Sequence, residues 1–288
     1  MNLRSIYMTL RTRLPGYLPG ILLGVLSIAA CIILAWIYIG GASAGDIVLR
    51  DMAWKKKDEE AISRLLAVPL LLYHNIDGRG EYSLNYEVME AQFQLLADRG
   101  IEVVALDDFV KRLDNPRPYE KKVAVLSFDD GYLSMYTRLM PLLARFGYHV
   151  TLFVYTDNVY HSARRNITWQ KLREMQNSGF DIQSHTLSHP DLVRLARKGG
   201  MESRHKLYEE IYLSKRVLEL YLGREVRYFA FPYGSYNLEL VDLCKQAGFA
   251  RVFSTDFGPN IITRNNYCLR RRHIKSDYGL EKVAGLVE

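Results

Sequence analysis

The chain has 288 residues, 49% hydrophobic and 24% charged, a balance too apolar for disorder and ordinary for a folded protein. Three cysteines and no CxxC pair exclude a disulfide scaffold and a structural cysteine–zinc site. Arg4, Arg11 and Arg13 supply half of the net charge of +6, so the remaining excess is mild and no nucleic-acid partner is expected.

In chain order, residues 1–17 are basic and free of acids. Leu18–Ile39 then runs uncharged; its length of about 33 Å spans a bilayer core of roughly 30 Å. Tyr17, Trp36 and Tyr38 lie near its ends, where an aromatic belt belongs. The expectation is a cytoplasmic N-terminus over 1–17 and a transmembrane signal anchor over 18–40, with the rest of the chain outside the cytoplasm, at the cell surface or in the periplasm. A cleaved signal peptide (Ala42-Ser43-Ala44) and a lipoprotein box (Ile28-Ala29-Ala30-Cys31) are the alternatives for the same segment. Residues 41–67 read as a stalk or linker, ending in a charged helical stretch.

From residue 68 to 288 short apolar runs alternate with helical patterns. Strands are expected at 68–73, 101–106, 122–128, 149–155, 180–184, 226–231 and 250–254, mostly as continuous apolar runs, as in strands buried on both faces. This alternation implies βαβ units and a parallel sheet or barrel, with chemistry at the C-terminal ends of the strands. The basic spots Lys55–Lys57 and Arg270–Arg272 read as solvated faces.

Polar residues follow four of these strands: His74, Asp129-Asp130-Gly131, His185 with His189, and Pro232-Tyr233-Gly234. Two histidines and one carboxylate form an open divalent-metal set that leaves a position for water. Adjacent carboxylates repel; a cation resolves this if one aspartate ligates it and the other takes a proton from water. His74, directly after an apolar strand, is the candidate acid for a leaving group.

The segments SFDDGY, SHTLSH and FAFPYGSYN, spaced and in order, resemble the motifs of the polysaccharide deacetylase family, carbohydrate esterase family 4 with its NodB-homology domain. The family's segment with a catalytic histidine usually lies near the C-terminus. Here LLLYHNID precedes the other motifs, which resembles the permuted branch containing poly-β-1,6-N-acetylglucosamine N-deacetylases of biofilm systems.

The resemblance implies an irregular, incomplete (β/α) barrel. It makes Asp129 the general base, His74 the general acid, and Asp130, His185 and His189 the ligands of a divalent ion, zinc first, with cobalt or others accepted. Tyr233, with Pro232 beside it, would line the site and offer a backbone N–H to the oxyanion. Many relatives brace the base with an arginine where this chain has Ala230; Arg271 or Arg272 is the expected substitute, and Asp256 or Asp277 the expected orienter of His74. The implied activity is metal-dependent hydrolysis of N-acetyl groups from a GlcNAc-containing polysaccharide, an exopolysaccharide ahead of peptidoglycan or chitin oligomers. O-deacetylation and a non-catalytic glycan-binding scaffold are the competing readings. The expected partners are the acetylated amino-sugar polymer and the membrane, while the sequence names no protein partner. Cys244 and Cys268 are a candidate pair outside the cytoplasm.

Overall fold

The computed structural model describes residues 56–57, 59–161, 167–256, 260 and 267–288. The segments expected at 1–17 and 18–40, and the stalk up to residue 55, lie outside the described residues. No helix among the described residues is long and apolar enough to cross a membrane.

Apolar runs rich in β-branched and aromatic residues form the strands β1 (Leu70–Tyr73), β2 (Glu102–Val103), β3 (Val123–Asp129), β4 (Thr151–Val154), β5 (Asp181–Ser184), β6 (Tyr228–Ala230) and β7 (Arg251–Ser254). Two more, β8 (Cys268–Arg270) and β9 (Arg272–His273), lie in a stretch that the sequence pattern leaves unassigned. All pair in parallel, in the order β8-β7-β6-β5-β4-β3-β1-β9, with β2 alongside β3. The two ends of this order are consecutive in sequence. The segment 268–273 pairs with β7 through its first half (Val252 with Cys268) and with β1 through its second (Leu72 with His273). The sheet therefore curls into a nearly closed barrel whose edges meet at Arg271.

Two buried clusters explain the continuous apolar runs. One set of alternating strand residues (Leu70, Val125, Phe153, Tyr228, Phe253 and Leu269) packs together inside the ring. Their neighbours (Leu71, Leu126, Leu152, Phe229 and Val252) face helices such as Tyr86–Asp98, Trp169–Asn177 and Leu238–Gln246. Side-chain caps start three helices where the sequence changes period: Thr168 accepts from the Lys171 N–H, Asp191 from Arg194 and Asn237 from Leu240. Gly147 and Gly223, in left-handed conformation, end two others.

Four expectations change. The helix over residues 59–66 contributes Leu65 and Leu66 to the interior cluster with Phe109 and Val110, so the compact unit begins at Glu60 rather than at residue 68. The helical pattern around Met140 opens with a π turn, Met135–Leu139, before the helix Met140–Phe146, because Pro141 lacks an N–H. Cys244 and Cys268 are free thiols. Of the basic spots, Lys56 and Lys57 are exposed, but Arg271 is 2% exposed and belongs to the interior. Leu65 is fully buried, so Leu65→Ala is expected to lower stability by about 2–5 kcal/mol in urea unfolding. An unchanged midpoint would make the helix a linker.

Candidate active site

The strand ends converge at one mouth of the barrel. β3 is buried along its whole length and ends in Asp129. Tyr73 of β1 pairs with Phe128 of β3, so the next residues, His74 and Asp129, emerge side by side. β5 delivers His185, whose N–H donates to the Val154 carbonyl of β4. These residues line a cleft of about 480 Å³, within the size range of small-ligand sites, together with Asp130, His189, Tyr82, Tyr132, Tyr233 and His273.

Asp129 is 2% exposed, and burial alone would raise its carboxyl pKa. The Arg271 guanidinium, helped by His185, outweighs burial and holds the group below the usual carboxylate range. The contact is a two-pronged fork: Nη1 donates to Oδ1 and Nη2 to Oδ2, each at 2.7 Å. Arg271 Nη1 also donates to Ser127 Oγ (3.3 Å), and the guanidinium lies over the Phe153 ring, 5.0 Å from its centroid. Arg272 does not reach Asp129; it donates to the Leu286 carbonyl. Successive strand residues face opposite sides, so only one of two adjacent arginines enters the barrel.

The other carboxylate faces the two histidines. His189 Nε2 lies 3.3 Å and His185 Nε2 3.6 Å from Asp130 Oδ1, and the two Nε2 atoms are 3.1 Å apart. Ligands roughly 2.0–2.1 Å from a tetrahedral ion stand about 3.3 Å from one another, so the set has the spacing of a cation site. His185 Nδ1 donates to the Ala230 carbonyl (2.8 Å), which leaves Nε2 with its lone pair. Burial lowers the His185 pKa to about 4 against the pull of Asp129 and Asp130, keeping the ring neutral and able to ligate. Asp130 Oδ1 is a buried oxygen without a hydrogen-bond donor. The donors present fit a divalent ion.

Backbone strain is concentrated here. Among the described residues the non-glycine positions with positive φ are Asp130 (77°), Thr186 (77°), His189 (62°) and Tyr233 (58°), all in this site. Two glycines make the turns fit. A Cβ at Gly131 would come within 2.4 Å of Val154 Cγ1, and one at Gly234 within 2.0 Å of Thr255 Oγ1. Tyr233 is 67% exposed and packs edge-on against His189, 4.9 Å between centroids, whereas Pro232 is buried behind it and does not line the cleft.

Two residues of the site escape sequence reasoning. Glu210, buried in the π turn Glu209–Leu213, accepts the N–H groups of Leu187 (3.0 Å) and Ser188 (2.8 Å) on Oε2 and the Ser188 hydroxyl on Oε1. It pins the loop that carries both histidines, and only an acidic residue inside an apolar helical pattern hints at it. The second is His273, whose Nε2 lies 3.3 Å from His74 Nδ1. It replaces the carboxylate expected there. Asp256 instead accepts from Tyr236 (2.9 Å), and Asp277 is not among the partners of His74.

Residues 117–252 match the family model described as polysaccharide deacetylase. The Bacillus subtilis protein YxkH, named as a polysaccharide deacetylase, is 24% identical over 219 residues, covering 76% of this chain and 74% of that one. The poly-beta-1,6-N-acetyl-D-glucosamine N-deacetylase of Escherichia coli K12 is 22% identical over 271 residues, covering 77% of this chain; the matched region is 39% of that longer protein. The fold is similar to that of a Streptococcus pyogenes deacetylase solved with acetate, at TM-score 0.68 and 24% identity, covering 77% of this chain and 98% of that one. A parallel barrel with a clamped carboxylate and a His–His–Asp set at its mouth is a hydrolase scaffold. Residues 117–252 carry the polysaccharide deacetylase domain that the family model describes.

Two outcomes follow from this geometry. Glu210→Gln leaves a backbone N–H facing an amide, and zinc affinity is expected to fall about 10–100-fold in a competition titration with a chromogenic chelator; unchanged affinity would limit Glu210 to folding. In the metal-stripped chain, His185 and His273 are neutral, their pKa values lowered to about 4, burial being the main cause for each. The unfolded chain takes up those protons near pH 6.5, so stability is fully present above about pH 6.5 and declines as pH falls toward about 4. Urea midpoints at pH 7.5 and 4.5 measure the decline, which His273→Phe should lessen.

Proposed function

We propose that this chain hydrolyses N-acetyl groups from the amino sugars of a GlcNAc-containing polysaccharide, releasing acetate and leaving free amines. The observation that carries the reading is one cleft holding a metal-competent His–His–Asp set, an ionised carboxylate clamped by arginine, and a histidine on the adjacent strand.

Asp130, His185 and His189 would hold a divalent ion, zinc or cobalt. Such an ion supplies Lewis acidity toward the acetamide oxygen and makes water easier to deprotonate. Asp129 is the general base: Arg271 keeps it ionised, and its position beside His185 puts it next to the ion-binding set. His74 is the general acid that protonates the departing nitrogen, so that the amide bond breaks toward a neutral amine. The backbone N–H of Tyr233 would serve the developing oxyanion, and its exposed ring gives the sugar a surface to stack on. Likeness to N-deacetylases of Escherichia coli and Staphylococcus aureus named for poly-beta-1,6-N-acetyl-D-glucosamine favours an exopolysaccharide as substrate. The uncharged run Leu18–Ile39, preceded by three arginines, supports a membrane-anchored protein with its catalytic domain outside the cytoplasm.

The full chain, solubilised in detergent and loaded with zinc or cobalt, is expected to release acetate from β-1,6-linked GlcNAc oligomers. Asp129→Asn should lower kcat by about 100-fold or more, and a chelator should abolish release until metal is restored. Release that survives both treatments would overturn the mechanism. Release from O-acetylated but not N-acetylated oligomers would make the chain an esterase.

A further inference from the structure

His74 and His273 stand at the ends of adjacent parallel strands, with Leu72 of β1 paired to His273 of β9. His74 Nδ1 and His273 Nε2 are 3.3 Å apart, and the ring centroids 4.7 Å. Tyr82 stacks on the other ring of the pair, 4.2 Å from His273 at an interplanar angle of 18°. Both histidines line the cleft. Two imidazole nitrogens at this separation share one proton, so one ring donates and the other accepts.

We propose that His273 is the positioning residue of His74: its Nε2 accepts the proton carried on His74 Nδ1, and this leaves His74 Nε2–H for the leaving nitrogen. The proposal rests on His74 being the acid. The surroundings assign the direction. Arg271 lies two residues before His273. Lys275 stands 5.6 Å from the centre of the Tyr82 ring, paired to Glu81 at 2.5 Å. Burial first, then the positive charges of His74, Arg271 and Lys275, disfavour a protonated His273, against the opposing pull of Asp129. Burial is the main influence on His74 and lowers its pKa; Asp129 and Asp130 favour its cation, and Arg271 and His189 oppose it. Two carboxylates face His74 and one of them reaches His273, so in the 3.3 Å contact His273 is the acceptor and His74 the ring that carries the shared proton. A neutral partner, unlike a carboxylate, orients the acid without adding a counter-charge, so the imidazolium stays a readier proton donor toward an amine.

The test uses the full-length, zinc-loaded chain in detergent. His273→Phe keeps a ring against Tyr82 but removes the acceptor. It is expected to lower kcat by about tenfold or more with KM nearly unchanged, part of the about 10²–10⁴ that a positioned acid supplies. His273→Asp puts a negative charge against His74. The alkaline limb of kcat, which reports loss of the acid's proton, should move up by about 1–3 pH units, as should the His74 titration followed by NMR of ¹⁵N-histidine without substrate. Variants that melt as the parent does but keep its kcat and alkaline limb would overturn the proposal. So would a His74 titration that His273→Asp leaves unmoved. The NMR arm needs no turnover, so a parent chain that releases no acetate refutes the deacetylase reading while the pairing is still decided.

Discussion

The site depends on an ion pair buried at the joint of the barrel. Asp129 and Arg271 are 142 positions apart in sequence and each is 2% exposed. Their burial is costly, and well-packed apolar residues of similar volume would often serve stability as well or better. Removing one partner alone would leave the other charge uncompensated, at about 3–5 kcal/mol. The pair is therefore explained by what it does for the carboxylate. An ionised carboxylate at the bottom of a cleft needs a fixed counter-charge that does not consume the lone pairs facing the cleft. A guanidinium supplies that charge through a planar fork, where lysine would offer a point charge. The clamp on Asp129 and the last closing contact of the barrel are one event, so the site is complete only when the ring is.

Strain is the second cost of the same design. Four non-glycine residues hold left-handed backbone in the loops that form the cleft, at about 1–3 kcal/mol each. Local bonds oppose this. Thr186 Oγ1 accepts the His189 N–H at 2.8 Å, the Leu187 and Ser188 N–H groups end on Glu210, and the Leu187 carbonyl accepts the Asp157 N–H. Every turn of the histidine loop is thus tied to another element. The loop holds two imidazole nitrogens 3.1 Å apart beside Asp130, the spacing of a set that fits a divalent ion.

Much of this was legible in the sequence because the strands are buried on both faces. Continuous apolar runs marked seven strands, and the polar residues at their ends marked the mouth of the barrel. The edges of the runs were less clear, since β6 keeps only Tyr228–Ala230 of the run 226–231 and β2 only Glu102–Val103 of 101–106. The eighth and ninth strands were not legible as strands at all. A run of three arginines carries the signature of a solvated face, and only the absence of an arginine at Ala230 pointed to Arg271 or Arg272 as the partner of Asp129. Leu65 and Leu66 were hidden the same way: lysines and acids before them suggest a stalk, while their own burial depends on Phe109 and Val110 from a distant helix. The partner of His74 was sought among carboxylates, and its true neighbour is a residue type more often counted among ligands or acids.

The closing strand resolves these omissions together. Side chains of an extended segment alternate, so residues two apart share a face. Arg271 and His273 are two apart. One clamps the carboxylate at the end of β3, the other meets the imidazole just beyond β1, and β1 and β3 are themselves neighbours. Arg272, between them, points the other way and finishes on the Leu286 carbonyl, tying the strand to the helix Leu280–Val287. A single alternation thus sends one partner to Asp129, one to His74, and a fastening to the outer layer. A shift of one residue in the pairing of this strand would reverse all three and place Arg272 at the mouth, with Arg271 and His273 outside. The ladder contacts with β7 and β1 on either side fix that register, and through it the partners of Asp129 and His74 in the cleft.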